Sequence, residues 1–398
     1  MNKWFSVAAI VVLCLTLVIG VACGGGGEDE EGVKEVKFGA GLPLAGFWGA
    51  VIGIPAKDGV ELANDKIGEF TVAGQSYRWK LYHEENYWTT AGGVASASKL
   101  IYENGVKIMH QSGTDAGRAA QSLCEGSGVL LDGSAGLGFL GPDKPHSFYF
   151  APSYETHAPA FFHWLTEEHP EVKTAVATAT DDMLGHEFAH ACKASAEYFG
   201  LDWLGTEYIP AGTVELYPIA TKLVSKDPDL VIGSVLTMQP MLEMGWDGIT
   251  AYTMWSSSDA DYVGWENVEN GKYLLWLPNP YGEWLTQEVK DFAAEYDTKF
   301  GMEFTGGPFW AATILSVLTD ALRKAGTTDD IDKIVATLET ETFDTWIGPL
   351  KFGGEELVGI DHLLLWPVII ADLEDQAYHV LTVVPADEAY ELAVEVYK

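Results

Sequence analysis

Positive charge is what this chain has least of. Its 398 residues hold 23 Lys and Arg against 58 Asp and Glu, for a formal net charge of −35. Nucleic-acid binding relies on clustered basic side chains that neutralise phosphates, so nucleic acid is excluded as a partner. An acidic surface of this kind bears on solubility and not on the sign of a ligand. Cysteine is scarce too, at four. Cys14 and Cys23 fall in the N-terminal segment, which leaves Cys124 and Cys192, expected as separate buried thiols on two helices. After residue 22 no apolar stretch reaches membrane-spanning length without interruption. Walker loops, nucleophile elbows and Cys-x-x-Cys pairs are also missing.

What is present starts at the N-terminus. Asn2 and Lys3 precede an unbroken apolar run from Trp4 to Ala22, followed by Cys23, Gly24 to Gly27 and the acidic Glu28-Asp29-Glu30-Glu31. A short charged head, an apolar core and small residues at a cut site form a secretory signal, which stands apart from the fold. Val21-Ala22-Cys23 looks like a bacterial lipobox, with Gly20 where that pattern prefers Leu. Residues 1–22 are therefore expected as a lipoprotein signal peptide, with an uncleaved membrane anchor (the run is about long enough to span) or soluble secretion as the alternatives. Cys23 is the expected lipid site, and 23–33 a flexible acidic tether. The globular part is then extracytoplasmic, anchored to the membrane by lipid.

The remaining residues, about 365, exceed one ordinary core, so two domains are expected. A chain 47% hydrophobic with 43 Gly and 17 Pro is ordinary globular material. Short β-branched or apolar runs alternate with amphipathic helices. Strands are expected over 36–42, 78–84, 106–110, 129–131, 148–151 and 174–180. Helices are expected over 54–67, 91–103, 116–125, 157–168 and 185–199. This alternation indicates βαβ units and parallel sheets covered on both faces. Such sheets take ligands at the carboxyl ends of their strands. The last quarter departs from the rhythm, with long helices over 310–324 and 330–337 and an antiparallel pair over 363–372 and 378–384.

Six segments carry a resemblance. They are Phe38-Gly-Ala-Gly-Leu-Pro-Leu-Ala-Gly46, Lys57-Asp-Gly-Val-Glu-Leu-Ala-Asn64, Ser112-Gly-Thr-Asp115, Thr180-Asp-Asp-Met-Leu-Gly185, Gly307-Pro-Phe309 and Ile347-Gly-Pro-Leu350. In this order they resemble the type I periplasmic binding proteins of the branched-chain amino acid (Leu/Ile/Val) family. The resemblance implies an α/β fold of two Rossmann-like lobes joined by a hinge of three crossings, expected near 150–153, 277–280 and 348–352. One lobe would comprise 34–151 plus 279–349, the other 152–278 plus 350–398. It also implies a small-molecule ligand held between the lobes and passed to an ABC permease in the membrane, with no cofactor and no reaction.

The resemblance implies site residues as well. Ser112 and Thr114 lie at a strand-to-helix turn where free backbone N–H groups favour an anion. Ser134 and Ala135 match a second anchoring loop, although a threonine expected there is absent. In the second lobe Leu184 stands in place of an aromatic. Ser257 aligns with the acidic residue that would receive an α-ammonium group, although Asp259 lies two positions away, and a buried ammonium without a carboxylate is costly. Asp181 or Asp182 could serve in its stead, but either could equally cap the helix, and capping is the reading preferred. Aromatic residues in the loops after strands (Phe47, Trp48, Tyr87, Trp88) and Phe309 at the late aromatic position suit an apolar, aromatic or amide ligand. On this reading Thr114→Ala and Phe309→Ala weaken ligand binding without unfolding the protein.

Two motifs compete with that picture. His186-Glu187-Phe188-Ala189-His190 spells HExxH on a helix, the pattern that places two zinc ligands and a general base on one face. No third histidine follows at metzincin spacing, because Lys193 and Ala196 stand there, so a zinc hydrolase remains the remote alternative. Gly136-Leu-Gly138-Phe-Leu-Gly141 satisfies GxGxxG, but Pro142 and Pro145 follow where a dinucleotide site would open a helix. A ligand-sensing receptor of the same fold is the nearer alternative to a transport protein.

Overall fold

The computed structural model describes residues 32–133, 136–210, 213–233, 235–253, 260–261, 263–269 and 271–398. The signal segment, Cys23, Ser134, Ala135 and Ser257 lie outside the described residues. Among those described, no helix is long and apolar enough to cross a membrane.

The first sheet holds β1 (Val33–Leu42), β2 (Phe70–Val72), β3 (Gln75–Glu85), β4 (Ile108–Gln111), β5 (Leu130–Gly133) and β6 (Ser147–Phe148) in the order 2-3-1-4-5-6. Every pairing in it is parallel except β2 with β3. The second sheet is built on β7 (Thr174–Thr180), β8 (Asp202–Ile209), β9 (Leu230–Ile232), β10 (Ile249–Tyr252) and β11 (Tyr273–Leu275), all parallel. Successive residues of its strands feed opposite cores, as the two-residue period of a strand demands. Leu230 and Ile232 join one cluster and Val231 the other, and Leu274 is likewise opposed to Tyr273 and Leu275. Helices cover both faces, so the strands read as near-continuous apolar runs.

The chain then returns to the first lobe. Helix Gly306–Ala325 buries fourteen of its twenty residues, much of that surface against helix Ile54–Ile67. It ends on Gly326 in the left-handed conformation, behind Arg323 and Lys324, which suit the negative end of the helix dipole. A third sheet follows, of β12 (Thr342–Thr345), β13 (Gly348–Gly353) and β14 (Leu363–Leu365), antiparallel throughout. Leu350, Phe352, Leu364 and Trp366 belong to the first lobe's core. The third passage between lobes therefore comes after Trp366, beyond the 348–352 expected from sequence. The reason is local: Gly348-Pro349 opens a strand that pairs with β12, so the segment stays where it is. Finally β15 (Val368–Glu374) and β16 (Ala377–Val384) add an antiparallel hairpin to the second sheet, next to β11.

Cys124 and Cys192 are free, buried thiols in different cores. Burial pushes the Cys124 thiol up to about 12 and raises that of Cys192 as well, so both are poor nucleophiles.

Candidate functional site

The strands of the first lobe deliver their carboxyl ends to one place, and a fully buried asparagine ties them together. Asn86 donates from Nδ2 to the carbonyls of Gly41 (3.0 Å) and Ser112 (2.8 Å), and its Oδ1 accepts from the N–H of Trp88 at 2.9 Å. The ends of β1, β3 and β4 are thereby locked in register. Tyr87 and Trp88 take the left-handed conformation (φ 52° and 57°), uncommon for bulky residues. That turn aims Trp88 across the next loop. A Cβ on Gly113 would lie 2.9 Å from the Trp88 ring, and φ there is 92°, so both space and backbone demand glycine. Trp48 stacks on the outer face of Trp88 at 5.0 Å, and the exposed Phe47 meets Trp48 edge-on at 5.1 Å.

Gly113 also opens helix Thr114–Ser127, and no side chain caps it. The first-turn N–H groups of such a helix, with its dipole behind them, form a ready anion seat. Ser112 and Thr114, 6% and 2% exposed, border it. His110, one turn of strand back, is buried and binds Asp132 Oδ2 through Nδ1 at 2.6 Å. Asp132 sits directly across on β5 and accepts the Phe150 N–H on its other oxygen at 3.0 Å.

From the second lobe come Tyr154 and Leu184. Leu184 lies in the first turn of helix Met183–Tyr198, where Asp182 is the cap, accepting the Gly185 N–H at 2.9 Å. Asp181 instead pairs with His186 at 3.1 Å. Both aspartates thus have structural partners.

These parts enclose a cavity of about 120 Å³ at the junction of the lobes. Ile52, Ala56, Leu184, Leu277, Ala311 and Ile314 make its apolar wall. Trp88, Tyr149, Tyr154 and Trp310 supply rings, while His110, Ser112, Gly113 and Thr114 gather the polar groups. No Asp, Glu, Lys or Arg lines it among the described residues. A larger hollow of about 700 Å³ lies on the outside of the first lobe, between helices 54–67, 287–300 and 306–325. Its charged lining faces solvent, far from the strand ends, so it is not the better candidate.

Of the residues singled out from sequence, Ser112, Thr114 and Leu184 meet at this cavity, and Trp48 backs it from behind Trp88. Phe309 does not line it. Its ring is fully buried between Trp284, Phe304, Trp346 and Trp366 in the first lobe's core. The next residue, Trp310, occupies the cavity wall, its Nε1 bonded to the Pro278 carbonyl at 2.9 Å. Asn86, His110, Asp132 and Trp310 were not anticipated. A lone histidine within Ile108-Met-His-Gln111 reads as core, and only the strand register brings Asp132 beside it.

Both competing motifs have structural explanations. His186 stacks on Tyr208 (4.1 Å), and His190 stacks on Tyr397. Glu187 reaches the other lobe and pairs with Arg118 at 2.6 Å. The one group of three close enough to share a metal among the described residues is elsewhere: Asp372, Glu374 and His379 on the β15–β16 hairpin. Gly136, with φ 64°, leaves the room that Glu187 fills, since a Cβ there would lie 2.4 Å from its carboxyl carbon. The GxGxxG segment contains a short 3-10 turn, Leu137–Phe139, and opens no α-helix after Gly141.

A family model described as periplasmic binding protein matches residues 35–375. No curated protein matches the chain in sequence. Among solved structures, the leucine-binding protein LivK of Thermotoga maritima shares 16% identity over 88% of this chain and 99% of its own, with a TM-score of 0.73. A solute-binding protein of an R. palustris ABC transporter, solved with benzoate, shares 14% over 88% and 97%, at 0.74. LivJ of Streptococcus pneumoniae, solved with isoleucine, shares 17% over 88% and 99%, at 0.70. Identities this low speak for the fold alone.

Proposed function

This chain belongs to the periplasmic binding protein family, and we propose that it captures a small, largely apolar acid between its lobes and delivers it to an ABC importer. The observation that carries this reading is the one-sided polarity of the cavity. Hydrogen-bond donors for an acid cluster around the start of helix Thr114–Ser127, and the rest of the wall is apolar or aromatic. An α-ammonium group would be buried there without a carboxylate among the described residues, at a cost of several kcal/mol. The volume narrows the choice further. About 120 Å³ is close to the ~150 Å³ cavity that accommodates benzene, so the ligand is one ring or a branched chain of similar bulk. Benzoate, the ligand of the R. palustris neighbour, fits that description better than the leucine or isoleucine of the other two. Lobe closure over the ligand would present the form that a permease recognises.

Thermal unfolding and calorimetric titration of the purified protein with benzoate, benzamide, leucine and isoleucine test the reading. Benzoate at 100 times its dissociation constant is expected to stabilise the protein by about 2.7 kcal/mol. Leucine binding in preference to benzoate would restore an amino acid ligand. Failure of all four would remove the proposed ligand class. The anchor belongs to the same proposal: lipid on Cys23 would hold the protein at the outer membrane–water boundary, on a tether of about ten residues. Cys23→Ala is then expected to abolish metabolic labelling of the protein with a radioactive fatty acid, and labelling that persists in the variant would contradict lipid on Cys23.

A further inference from the structure

We propose that His110 is the residue by which the site selects an acid over its neutral counterpart: the imidazole takes up a proton as the ligand carboxylate arrives, and Asp132 holds the imidazolium so formed. The inference rests on the function proposed above and specifies the chemistry of the polar end.

A carboxylate in the middle of a buried parallel sheet needs a reason, because burying a charge is expensive unless it is paired. Asp132 is 2% exposed, and each of its oxygens is engaged, one by His110 Nδ1 and one by the Phe150 N–H. A ring nitrogen bonded to a carboxylate carries the proton, which fixes the tautomer. His110 is 92% buried by accessible surface yet lines the cavity, and its Nε2 bonds to no described residue. A neutral ring in this tautomer would turn the Nε2 lone pair towards the cavity, beside the helix start at Gly113. The donors of the helix start favour an anion, but the lone pair opposes one.

Protonation resolves the conflict. One proton from solvent goes to Nε2, the N–H donates to the ligand carboxylate, and Asp132 stays ionised on the far side of the ring. No covalent bond forms or breaks. The buried charges then alternate as carboxylate, imidazolium and carboxylate, instead of two anions flanking a neutral ring. A neutral amide follows a different course. Its NH₂ group donates to the bare Nε2, and no proton is required.

The groups around the ring leave this role to His110. Asp132 approaches from β5, and Tyr149 and Tyr154 also line the cavity. Asp115 and Arg118 stand on the helix that follows, and Glu155 and Glu187 lie near Tyr149. Helices Ile54–Ile67 and Gly306–Ala325 present only Ala56, Gly307, Trp310, Ala311 and Ile314 to the cavity, none of them charged.

The test is calorimetry of benzoate and benzamide binding at pH 8 in buffers of differing ionisation enthalpy. An ordinary histidine is neutral there. Benzoate is expected to take up about one proton and benzamide none. His110→Gln is expected to abolish the uptake and lower the benzoate-to-benzamide affinity ratio about 10- to 100-fold, the scale of a charge-assisted hydrogen bond. Asp132→Asn, which leaves the imidazolium unsupported, is expected to act in the same direction. Glu187→Gln serves as the control and is expected to keep the uptake. Uptake that persists in His110→Gln, or tight benzoate binding with no uptake, overturns the inference. If leucine binds and no acid does, the role of His110 falls while the importer reading stands. If nothing binds, both fall.

Discussion

Phe309→Ala is expected to destabilise the protein by about 3–5 kcal/mol while leaving the affinity of folded protein for benzoate within about threefold of wild type. The ring is fully buried, stacked on Trp346 at 5.8 Å and met by Trp284, Phe304 and Trp366 at 5.9 to 6.2 Å. Removing it leaves a cavity walled by large, stiff aromatic residues that collapse poorly, which puts the loss at the upper end of the range. A domain holds only about 5–15 kcal/mol in all, so the change in urea midpoint should be plain. The ligand titration belongs at low temperature, where the variant is still folded. Retained stability with lost binding would mean that the ring reaches the ligand after all. In the sequence, Phe309 points to the ligand because it stands at the late aromatic position that the resemblance implies. One residue along helix Gly306–Ala325 turns the side chain by about 100°, and the cavity side falls to Trp310.

Arg118→Ala should weaken ligand binding about 5- to 150-fold, or about 1–3 kcal/mol, without unfolding either lobe. Arg118 belongs to the first lobe and Glu187 to the second, and their 2.6 Å ion pair exists only when the lobes are together. Breaking a deeply buried pair costs about 3–5 kcal/mol. Arg118 keeps 32% of its side chain exposed, so the loss here is smaller. The pH dependence identifies the cause. In this closed form Glu187 is raised to about 7, first by burial and then by Glu155, with Arg118 pulling it down. With the lobes apart the carboxyl meets water and returns towards 4.5. The closed form therefore binds the proton more tightly. Its advantage is complete below pH 4.5, declines as pH rises to 7 and is absent above. Glu187→Gln should remove this component and leave what His110 contributes. Arg118→Ala should extend the decline above pH 7, because the group that lowered Glu187 is gone. Dissociation constants for benzoate from pH 5 to 8 decide the matter, and an unchanged curve in both variants would sink it.

The parallel architecture was legible because short continuous apolar runs and 3.6-period helices alternate so plainly from β1 to helix Met183–Tyr198. Elements with thin apolar stripes were harder to see. Strand β8 is an edge strand with half-exposed residues on both faces. Helix Gln287–Phe300 buries only Val289, Phe292 and Tyr296, and six of its other eleven residues are charged. The candidate cavity was readable where a strand-to-helix turn marks its lining, as at Ser112 and Thr114, or through the resemblance, as at Leu184. It was unreadable where it depends on register. His110 and Asp132 are 22 residues apart, and nothing in either strand announces the other. Asn86 is similar, since its bonds to Gly41 and Ser112 span 45 and 26 positions.

The return of the chain to its first lobe has a consequence for how the protein comes into being. Trp79 Nε1 bonds Thr319 Oγ1 across 240 residues, and Tyr296 reaches Pro55 across 241. At a ribosomal rate of about 5–20 residues per second, the early strand waits about 12–50 s for its partner helix. Until then the face of β1 and β3 that the helix will cover stays bare, and the second lobe lacks its hairpin. Neither lobe can close its core before the last hundred residues exist. A nascent chain of this design stays an open thread through most of its synthesis, the state in which a polypeptide can still be drawn through a narrow pore.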